Sequence, residues 1–329
     1  MRTLVIKGYG VKLSYRKGVL ILKGKGGGST YSLADIDRVV VATSGVSITS
    51  RAIRAMVDSG VELVVLDSRG FPAAVLYYPY VTRTVDARRG QYAALGDGKA
   101  LTVIKVVAMS KILNQAGMLK RVARTCGIRW VSEDVGLLRK YAEEVARVDC
   151  SDLRAVRRAV MELEAAAARV YWGAYASLLP KELGFEGRDQ GGGDVVNKVL
   201  NYGYGILYPE CFRAVALAGL DPYAGFLHTD RSGKPVLVFD VIELFRSAAV
   251  DYPILKALRK GWRPRVEGGL LAHESRVEVA KLVNEALSTK FKAGSGRVKE
   301  LRSWVSTFAL ALASFLRGEA ALKPLVFRW

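Results

Sequence analysis

The chain has 329 residues, half of them hydrophobic, which is enough material for two domains with separate cores and excludes a disordered protein. Fifty Lys and Arg against thirty-one Asp and Glu give a net charge of +19 at pH 7, and such an excess attracts polyanions, with nucleic acid the leading candidate. The longest apolar run near the C-terminus, residues 308–316, is shorter than the roughly 20 residues that a membrane span requires, so we expect no membrane partner.

The three cysteines of the chain are few and badly spaced for a structural role. Cys126, Cys150 and Cys211 are odd in number and show no CxxC spacing, which argues against a disulfide framework or a cysteine zinc site. The N-terminus carries Arg2 and Lys7 around a β-like stretch and does not have the pattern of a signal peptide. We therefore expect a cytoplasmic protein.

Residues 1–80 have the pattern of a β-rich region. Short apolar runs alternate with glycine-bearing turns, and one helix is predicted from Thr49 or Ser50 to Gly60. The cluster "KGKGGGS" lacks the Lys-Ser/Thr ending and the following helix of a phosphate-binding loop, so it predicts a hairpin. The predicted strands are Leu4–Ile6, Val19–Leu22, Val39–Ala42, Val61–Leu66 and Ala73–Tyr77.

Beyond about residue 85 the apolar residues recur with a helical period. The sequence therefore predicts an α+β protein of two domains, a β-rich domain over 1–80 and a larger helical domain over 81–329, joined near residues 78–88. The predicted helices cover residues 100–124, 151–179, 194–208, 239–250, 273–289 and 297–317.

The helix predicted from residue 151 places one glutamate within its apolar face. At about 100° per residue, Glu164 shares a face with large apolar side chains, whereas Glu162 points the other way and is expected to be solvated. A carboxylate on a buried face needs a compensating charge, and a metal ion or a salt bridge to Arg157 would supply one. The residues that share the face of Glu164 are Leu153, Val160, Met161, Ala168, Tyr171 and Tyr175.

A second acidic segment, "GFLHTDRSGKPVLVFDVIELFR", holds one of the two histidines of the chain. Asp240 and Glu243 lie three residues apart on one face of an apolar segment, and His228 precedes them in a turn. Arg246 could pair with Glu243, and a lone histidine is often only structural. Together, however, Glu164, His228 and Glu243 form a carboxylate and imidazole set that suits Mg²⁺ or Mn²⁺ better than zinc.

Several basic, amide and aromatic residues are candidates for DNA contact. The region 83–129 holds ten basic and two acidic residues, and "KALRKGWRPR" at 256–265 holds five basic residues and no acidic one. Asn197 and Asn201 lie one helical turn apart, with Tyr204 in approximate register, and they could line a groove or merely pack and cap. The predicted DNA-binding residues are Arg88, Arg89, Lys105, Lys111, Asn197, Asn201, Tyr204, Arg246, Arg259, Lys260 and Arg263.

Five stretches, in order, resemble motifs of the CRISPR-associated integrase family, the nuclease and integrase of spacer acquisition. They are "SGVELVVLDSRGFP", "RRGQYAAL" with "KILNQAGML", "MELEAAAARVYW", "DVVNKVLNYGYGILY" and "GFLHTDRSGKPVLVFDVIELFR". The resemblance extends to about residue 315.

The resemblance implies a β-sandwich N-terminal domain that forms a homodimer, and an all-α C-terminal domain that carries the active site. It implies that Glu164, His228 and Glu243 bind Mn²⁺ or Mg²⁺, with Asp240 as an adjacent catalytic acid. It also implies a small ferredoxin-like partner subunit and double-stranded DNA substrates, in which prespacer 3′-hydroxyls attack phosphodiesters at the ends of CRISPR repeats.

Two other functions fit the same residues. A stand-alone metal-dependent nuclease or junction resolvase would use the same site with water as the nucleophile. A non-catalytic DNA-binding scaffold would use the acidic residues only to hold the fold. Joined DNA products would separate the integrase from both alternatives.

Overall fold

The computed structural model of this chain describes residues 3–24, 26–66, 72–76, 84–128, 130–149, 152–294 and 296–329. The chain divides into two compact units, Met1–Thr82 and Arg83–Trp329. The end of the strand predicted at 73–77, most of the predicted joint at 78–88 and Cys150 lie outside the described residues.

The first unit is β-rich, as predicted, and contains two four-stranded sheets. One sheet has the strand order β1-β5-β7-β8, and the other has the order β4-β3-β2-β6. The first three strands of the β1 sheet run parallel, and β8 runs antiparallel to β7. The strands are β1 (Thr3–Ile6), β2 (Val11–Arg16), β3 (Val19–Gly24), β4 (Gly27–Ser32), β5 (Arg38–Val41), β6 (Val46–Ile48), β7 (Glu62–Leu66) and β8 (Pro72–Leu76).

Alternating apolar residues from both sheets form one buried cluster in this unit. Ile6 and Val39 come from the β1 sheet, and Leu13 and Leu20 come from the other sheet. Helix α1 (Ser50–Asp58) adds Met56 to the same cluster. Thr49 caps the start of α1, since its hydroxyl accepts a hydrogen bond from the backbone N–H of Ala52 at 3.2 Å, and the predicted helix is therefore confirmed.

The glycine cluster near residue 25 belongs to a hairpin, as predicted. Strand β3 ends at Gly24, β4 begins at Gly27, and these two residues are cross-strand partners in an antiparallel pair. Gly27 has a φ of 123°, which an L-residue rarely adopts. Among the described residues, the cluster leads directly into strand β4 and not into a helix that could present its N-terminus to a phosphate.

The second unit is mainly helical and contains every predicted site residue, most of them on helices, whereas His228 lies in the loop before α7. Helices α3 and α5 run almost as predicted, whereas α4 was not predicted and α6 runs nine residues beyond its predicted end, through Pro209. A π-helical turn, Ser247–Asp251, joins α7 to α8. The helices are α2 (Thr84–Ala93), α3 (Lys99–Cys126), α4 (Val131–Arg147), α5 (Leu153–Leu178), α6 (Val195–Leu217), α7 (Val236–Glu243), α8 (Tyr252–Arg259), α9 (His273–Ser288) and α10 (Leu301–Leu316).

The prediction that this unit is all-α is wrong in one respect, because it contains two small sheets, one of two strands and one of three. In the strand β11 (Lys290–Ala293), Phe291 and Ala293 turn inward while the lysines turn outward, which is a period of two. Strand β12 replaces the first four residues of the helix predicted from 297, so that α10 begins at Leu301. The remaining strands are β9 (Val266–Glu267), β10 (Leu270–Leu271), β12 (Arg297–Glu300) and β13 (Phe327–Arg328).

The buried amide of Asn114 connects three parts of this unit. Its Nδ2 donates to the backbone oxygens of Leu244 and Leu325, both at 3.0 Å, and its Oδ1 accepts from the backbone N–H of Phe327 at 2.9 Å. The C-terminal strand and the end of α7 are thus fixed to the middle of α3. The described helices include none with the length and apolar content of a membrane span.

Candidate active site

A lysine lies at the centre of the candidate site. Lys111 extends from α3, and its ammonium group contacts Glu164 Oε1 on α5 and Glu243 Oε2 at the end of α7, the latter at 2.7 Å. Helix α3 packs against both α5 and α7, which brings the three side chains together. The predicted DNA-binding role of Lys111 assumed an exposed side chain, but only 14% of this side chain is exposed.

Glu164 is partly buried, as its position on the apolar face of α5 predicts. Its side chain is 18% exposed, whereas the neighbouring Glu162 is exposed to solvent. The alternative salt bridge to Arg157 is not formed, because Arg157 Nε donates to the backbone oxygen of Phe226 at 2.6 Å. The compensating charge of Glu164 is therefore the ammonium of Lys111.

Glu243 has a cation at each of its carboxylate oxygens. Lys111 approaches Oε2, and Arg246, one turn further along, contacts Oε1 at 2.6 Å, so the pairing considered from the sequence is present. Burial alone would raise the pKa of Glu243, but the charges of Arg246 and Lys111 outweigh it and lower that pKa. Burial would likewise lower the pKa of Lys111, yet the charges of Glu243 and Glu164 raise it, and so Lys111 and Glu243 are both charged near neutral pH.

Asp240 has a different role from Glu164 and Glu243. It holds the loop that carries His228. Its fully buried carboxylate accepts backbone N–H groups from Phe226 at 2.6 Å, Leu227 at 3.1 Å and His228 at 3.0 Å. The ring Nδ1 of His228 lies 2.7 Å from Asp240 Oδ1. This contact leaves Nε2 as the ring nitrogen for a metal, the usual arrangement of a metal-binding histidine and its carboxylate partner.

The donor set of these residues fits a hard divalent cation. Glu164 and Glu243 offer carboxylate oxygens, and His228 offers an imidazole nitrogen of fixed orientation. Within the described part of the chain, however, no three His, Cys, Asp or Glu side chains are already gathered into a cluster that could hold a metal ion. Lys111 lies between the two glutamates.

A buried aspartate that the sequence analysis did not consider lies beside this site. Asp251, in the π-helical turn before α8, accepts hydrogen bonds from the hydroxyls of Tyr204 at 2.6 Å and Tyr171 at 2.7 Å. Burial raises the pKa of Asp251, although these two hydroxyls oppose the shift. The guanidinium of Arg246 lies over the Tyr204 ring, 4.7 Å from its centre, so the network reaches the cation that binds Glu243.

Comparison with known proteins identifies the family. The family model described as CRISPR associated protein Cas1 matches residues 4–285. This chain belongs to the Cas1 family.

Relatives in this family are similar over nearly the whole chain. A CRISPR-associated endonuclease Cas1 from Pyrobaculum aerophilum is 39% identical over 91% of this chain and 97% of its own length. One from Hyperthermus butylicus is 36% identical over 98% of both chains. The resemblance found in the sequence motifs is therefore confirmed.

Solved structures share the fold of this Cas1 family member. A casposase bound to an integration product superposes with a TM-score of 0.79 and 22% identity, covering 98% of this chain and 93% of that one. A Cas6-RT-Cas1–Cas2 complex superposes with a TM-score of 0.70 and 18% identity, covering 97% of this chain and 35% of that chain. At these identities the likeness concerns the fold alone.

The amides predicted to contact DNA are engaged inside this Cas1 family member. Asn197 is buried, its Oδ1 accepts from Arg188, and its Nδ2 donates to Gly187 and Asp194. Asn201 also accepts from Arg188, at 2.5 Å, and donates to the backbone oxygen of Gln190. Tyr204 is buried too. These three side chains support the loop before α6, and their predicted contact with DNA would require them to leave these partners.

The remaining predicted DNA-binding residues are distributed over the helical unit. Arg88, Arg89 and Lys260 are exposed. Three others direct a cationic group at a backbone carbonyl: Lys105 at Ala146, Arg259 at Leu178 and Arg263 at Leu258. The last of these also contacts Glu182 at 2.6 Å.

Lys111 was predicted as a DNA-binding residue, and its pairing with the two glutamates was not predicted although the sequence contained a usable signal. It shares one face of α3 with Ile104, Ala108, Gln115 and Met118, all of which are buried. This is the same pattern that singled out Glu164 on α5. A lysine and a glutamate on the apolar faces of two adjacent helices predict an ion pair, whereas the overall basic charge favoured a surface role for Lys111.

Proposed function

We propose that this protein is a metal-dependent DNA endonuclease and integrase that inserts new spacers into a CRISPR array. The observation that carries the proposal is that Lys111 contacts both Glu164 and Glu243 in a member of the Cas1 family, with His228 near enough for the charge of Glu243 to raise its pKa. The net charge of +19 suits a substrate made of phosphodiesters.

Glu164, Glu243 and His228 would hold one Mn²⁺ or Mg²⁺ ion. When bound, such an ion polarises a phosphodiester, stabilises the leaving oxygen and lowers the pKa of an attacking hydroxyl. Asp240 keeps the His228 ring oriented through its contact with Nδ1, and it holds the loop in place through three backbone N–H groups. Asp240 thus acts as a positioning residue rather than a ligand.

The proposed reaction is a transesterification. The 3′-hydroxyl oxygen of a prespacer forms a bond to the phosphorus at the end of a repeat, and the bond from that phosphorus to the 3′-oxygen of the preceding, flanking nucleotide breaks. The attacking hydroxyl releases its proton, and the leaving 3′-oxygen gains one. The number of phosphodiesters is unchanged. Arg246 binds Glu243 and is 27% exposed, so we expect it to be the cation of this site that contacts a phosphate.

The same proposal includes an assembly. We infer that the protein forms a homodimer through its β-rich N-terminal unit, a β-sandwich domain, and that it works with a small ferredoxin-like partner subunit on prespacer and repeat DNA. Solved structures of this fold include a casposase bound to an integration product and a Cas6-RT-Cas1–Cas2 complex, which supports DNA and a partner subunit of that kind.

A strand-transfer assay with a matched pair of variants tests the proposal. Labelled short duplex DNA would be incubated with a supercoiled plasmid carrying repeats, in Mn²⁺ or in EDTA, with wild type, Glu164→Ala and Glu162→Ala. Glu162 lies two residues away on α5 and is exposed, so it controls for loss of a carboxylate from the same helix. We expect joined products with wild type and Glu162→Ala in Mn²⁺, and none with Glu164→Ala or in EDTA.

The alternatives predict other products. Metal-dependent cutting without joining would favour a stand-alone nuclease or junction resolvase. The ion pair between Lys111 and two glutamates is what a non-catalytic scaffold would contain, because it neutralises the acids without a metal. DNA binding that is unaffected by EDTA, with no cut or joined product, would favour that scaffold and contradict the proposal.

A further inference from the structure

The two glutamates of the candidate metal site are already neutralised by an internal cation. Glu164 is 18% exposed and Glu243 only 4%, and burying two carboxylates next to each other is unfavourable unless a positive charge lies between them. The ammonium of Lys111 lies at that position. It contacts one oxygen of each glutamate.

The contacts of Glu243 separate the roles of its two cations. Arg246 binds Oε1, and Lys111 binds Oε2, so removal of the ammonium would free Oε2 while the guanidinium stays in place. Arg246 is further held by the Tyr204 ring, whose hydroxyl is bonded to Asp251. Lys111 has no comparable support, since its hydrogen bonds and ion pairs among the described residues are to the two glutamates themselves.

A divalent ion and this ammonium cannot share the space between the carboxylates. Both are cations that need the same oxygens, and their charges repel each other at such short range. The flexible four-carbon stem of a lysine allows its ammonium to swing away without movement of the helix backbone. No three ligands are gathered among the described residues while the lysine lies between the two glutamates.

We propose that Lys111 is an internal counter-ion that takes the place of the divalent cation in the metal-free protein, and that metal binding displaces its ammonium from Glu164 and Glu243. This inference rests on the proposed function, because it assumes that these glutamates bind the metal. It makes the lysine a competitor of the metal. It also explains how α5 and α7 keep two acidic side chains side by side when no metal is bound.

The competition is tested by measuring Mn²⁺ binding with calorimetry on the full chain, without DNA. Lys111→Met keeps the length of the side chain and removes its charge, and Lys140→Met removes a charge from the exposed surface of α4 as a matched control. We expect Lys111→Met to bind Mn²⁺ about fivefold or more tightly than wild type. Its metal-free melting temperature should be lower, and its rise in melting temperature with Mn²⁺ larger, while Lys140→Met behaves as wild type.

If wild type binds Mn²⁺ but Lys111→Met binds it no more tightly, the proposed displacement of Lys111 by the metal is wrong. The proposed function would be unaffected by that result. A wild-type protein that binds no Mn²⁺ at all would overturn both. If Lys111→Met does not fold, acetylation of wild-type lysines followed by mass spectrometry gives a second test. Mn²⁺ should increase the reactivity of Lys111 relative to that of Lys140, and a reactivity that stays the same or falls contradicts the displacement.

Discussion

His228 and Asp240 are joined through both the backbone and the side chain of the histidine. Asp240 Oδ1 accepts the backbone N–H of His228 at 3.0 Å and lies 2.7 Å from its ring Nδ1. The other oxygen of Asp240 accepts the N–H groups of Phe226 and Leu227. One buried carboxylate therefore sets the course of the loop and the direction of the imidazole together.

Replacing Asp240 by asparagine should damage both stability and metal binding. The amide NH₂ of Asp240→Asn would face backbone donors, and leaving buried donors without an acceptor costs about 1–3 kcal/mol for each group. We expect the free energy of unfolding to fall by about 2 kcal/mol or more, and the Mn²⁺ affinity to fall by about 10- to 100-fold. Denaturant unfolding and calorimetry measure the two effects. Asp230→Asn is the control, because Asp230 is exposed and accepts a backbone N–H in the same loop; equal losses in the two variants would contradict the positioning role.

The titration of His228 should show the influence of its acidic neighbours. Burial alone would lower the pKa of His228, but the hydrogen bond and charge of Asp240 and the charge of Glu243 raise it above 6.5. Protonated His228 therefore stabilises the folded metal-free protein below pH 6.5, and this contribution disappears as pH rises through the folded pKa. Mn²⁺ binding needs the neutral ring and should weaken as pH falls through the same value.

Nuclear magnetic resonance can follow this titration directly, since His273 is the only other histidine of the chain. The His228 signal would be assigned with His273→Gln, and Asp240→Asn should lower the pKa of His228. A pKa of His228 below that of a free histidine would show that burial outweighs Asp240 and Glu243.

The Asn114 amide should be among the most important single polar groups for stability. Truncation in Asn114→Ala leaves two backbone oxygens and one N–H without their partner in a buried environment. We expect the free energy of unfolding to fall by about 2–3 kcal/mol in denaturant titrations. Asn284→Ala is the comparison, because that amide is exposed, and it should lose less than about 1 kcal/mol. Similar losses for both variants would mean that the C-terminal strand does not depend on Asn114.

The hydroxyls of Tyr204 and Tyr171, which bind the carboxylate of Asp251, should contribute more to stability than the hydroxyl of Tyr175. Tyr204→Phe and Tyr171→Phe each remove a hydroxyl from a buried carboxylate, whereas Tyr175→Phe removes one from the backbone oxygen of Asp251 at 3.1 Å. Hydrogen bonds to charged groups contribute about 1.5–3 kcal/mol and neutral ones about 0.5–1.5 kcal/mol. Tyr204→Phe and Tyr171→Phe should therefore lower the free energy of unfolding more than Tyr175→Phe does. The reverse order would exclude a charged Asp251.

Helical periodicity alone predicted much of the helical unit, and it also predicted that Glu164 lies on a buried face. The helical wheel separated Glu164 from Glu162 because burial on a long helix depends on angle, and the structure has the first partly buried and the second exposed. The same reasoning applies to Lys111. The net charge of +19 instead favoured a surface role for this lysine in DNA binding.

Features that depend on contacts between distant segments could not be predicted in this way. Strand β11 pairs with β13 across more than thirty residues, and four residues of alternating polarity are too short to distinguish a strand from the start of a helix. The role of Asp240 as an acceptor for the His228 loop likewise depends on how that loop folds over α7. Asp251 follows an apolar run and gave no sign of two tyrosine partners from α5 and α6.

The central claim is that Glu164, Glu243 and His228 bind one divalent ion, and a crystal structure grown with Mn²⁺ tests it most directly. Anomalous scattering at the manganese edge should give one peak about 2.0–2.3 Å from oxygens of both glutamates and from Nε2 of His228. The ammonium of Lys111 should have left the space between the glutamates. A peak elsewhere, or no peak at saturating Mn²⁺ with Lys111 still between Glu164 and Glu243, would contradict the account.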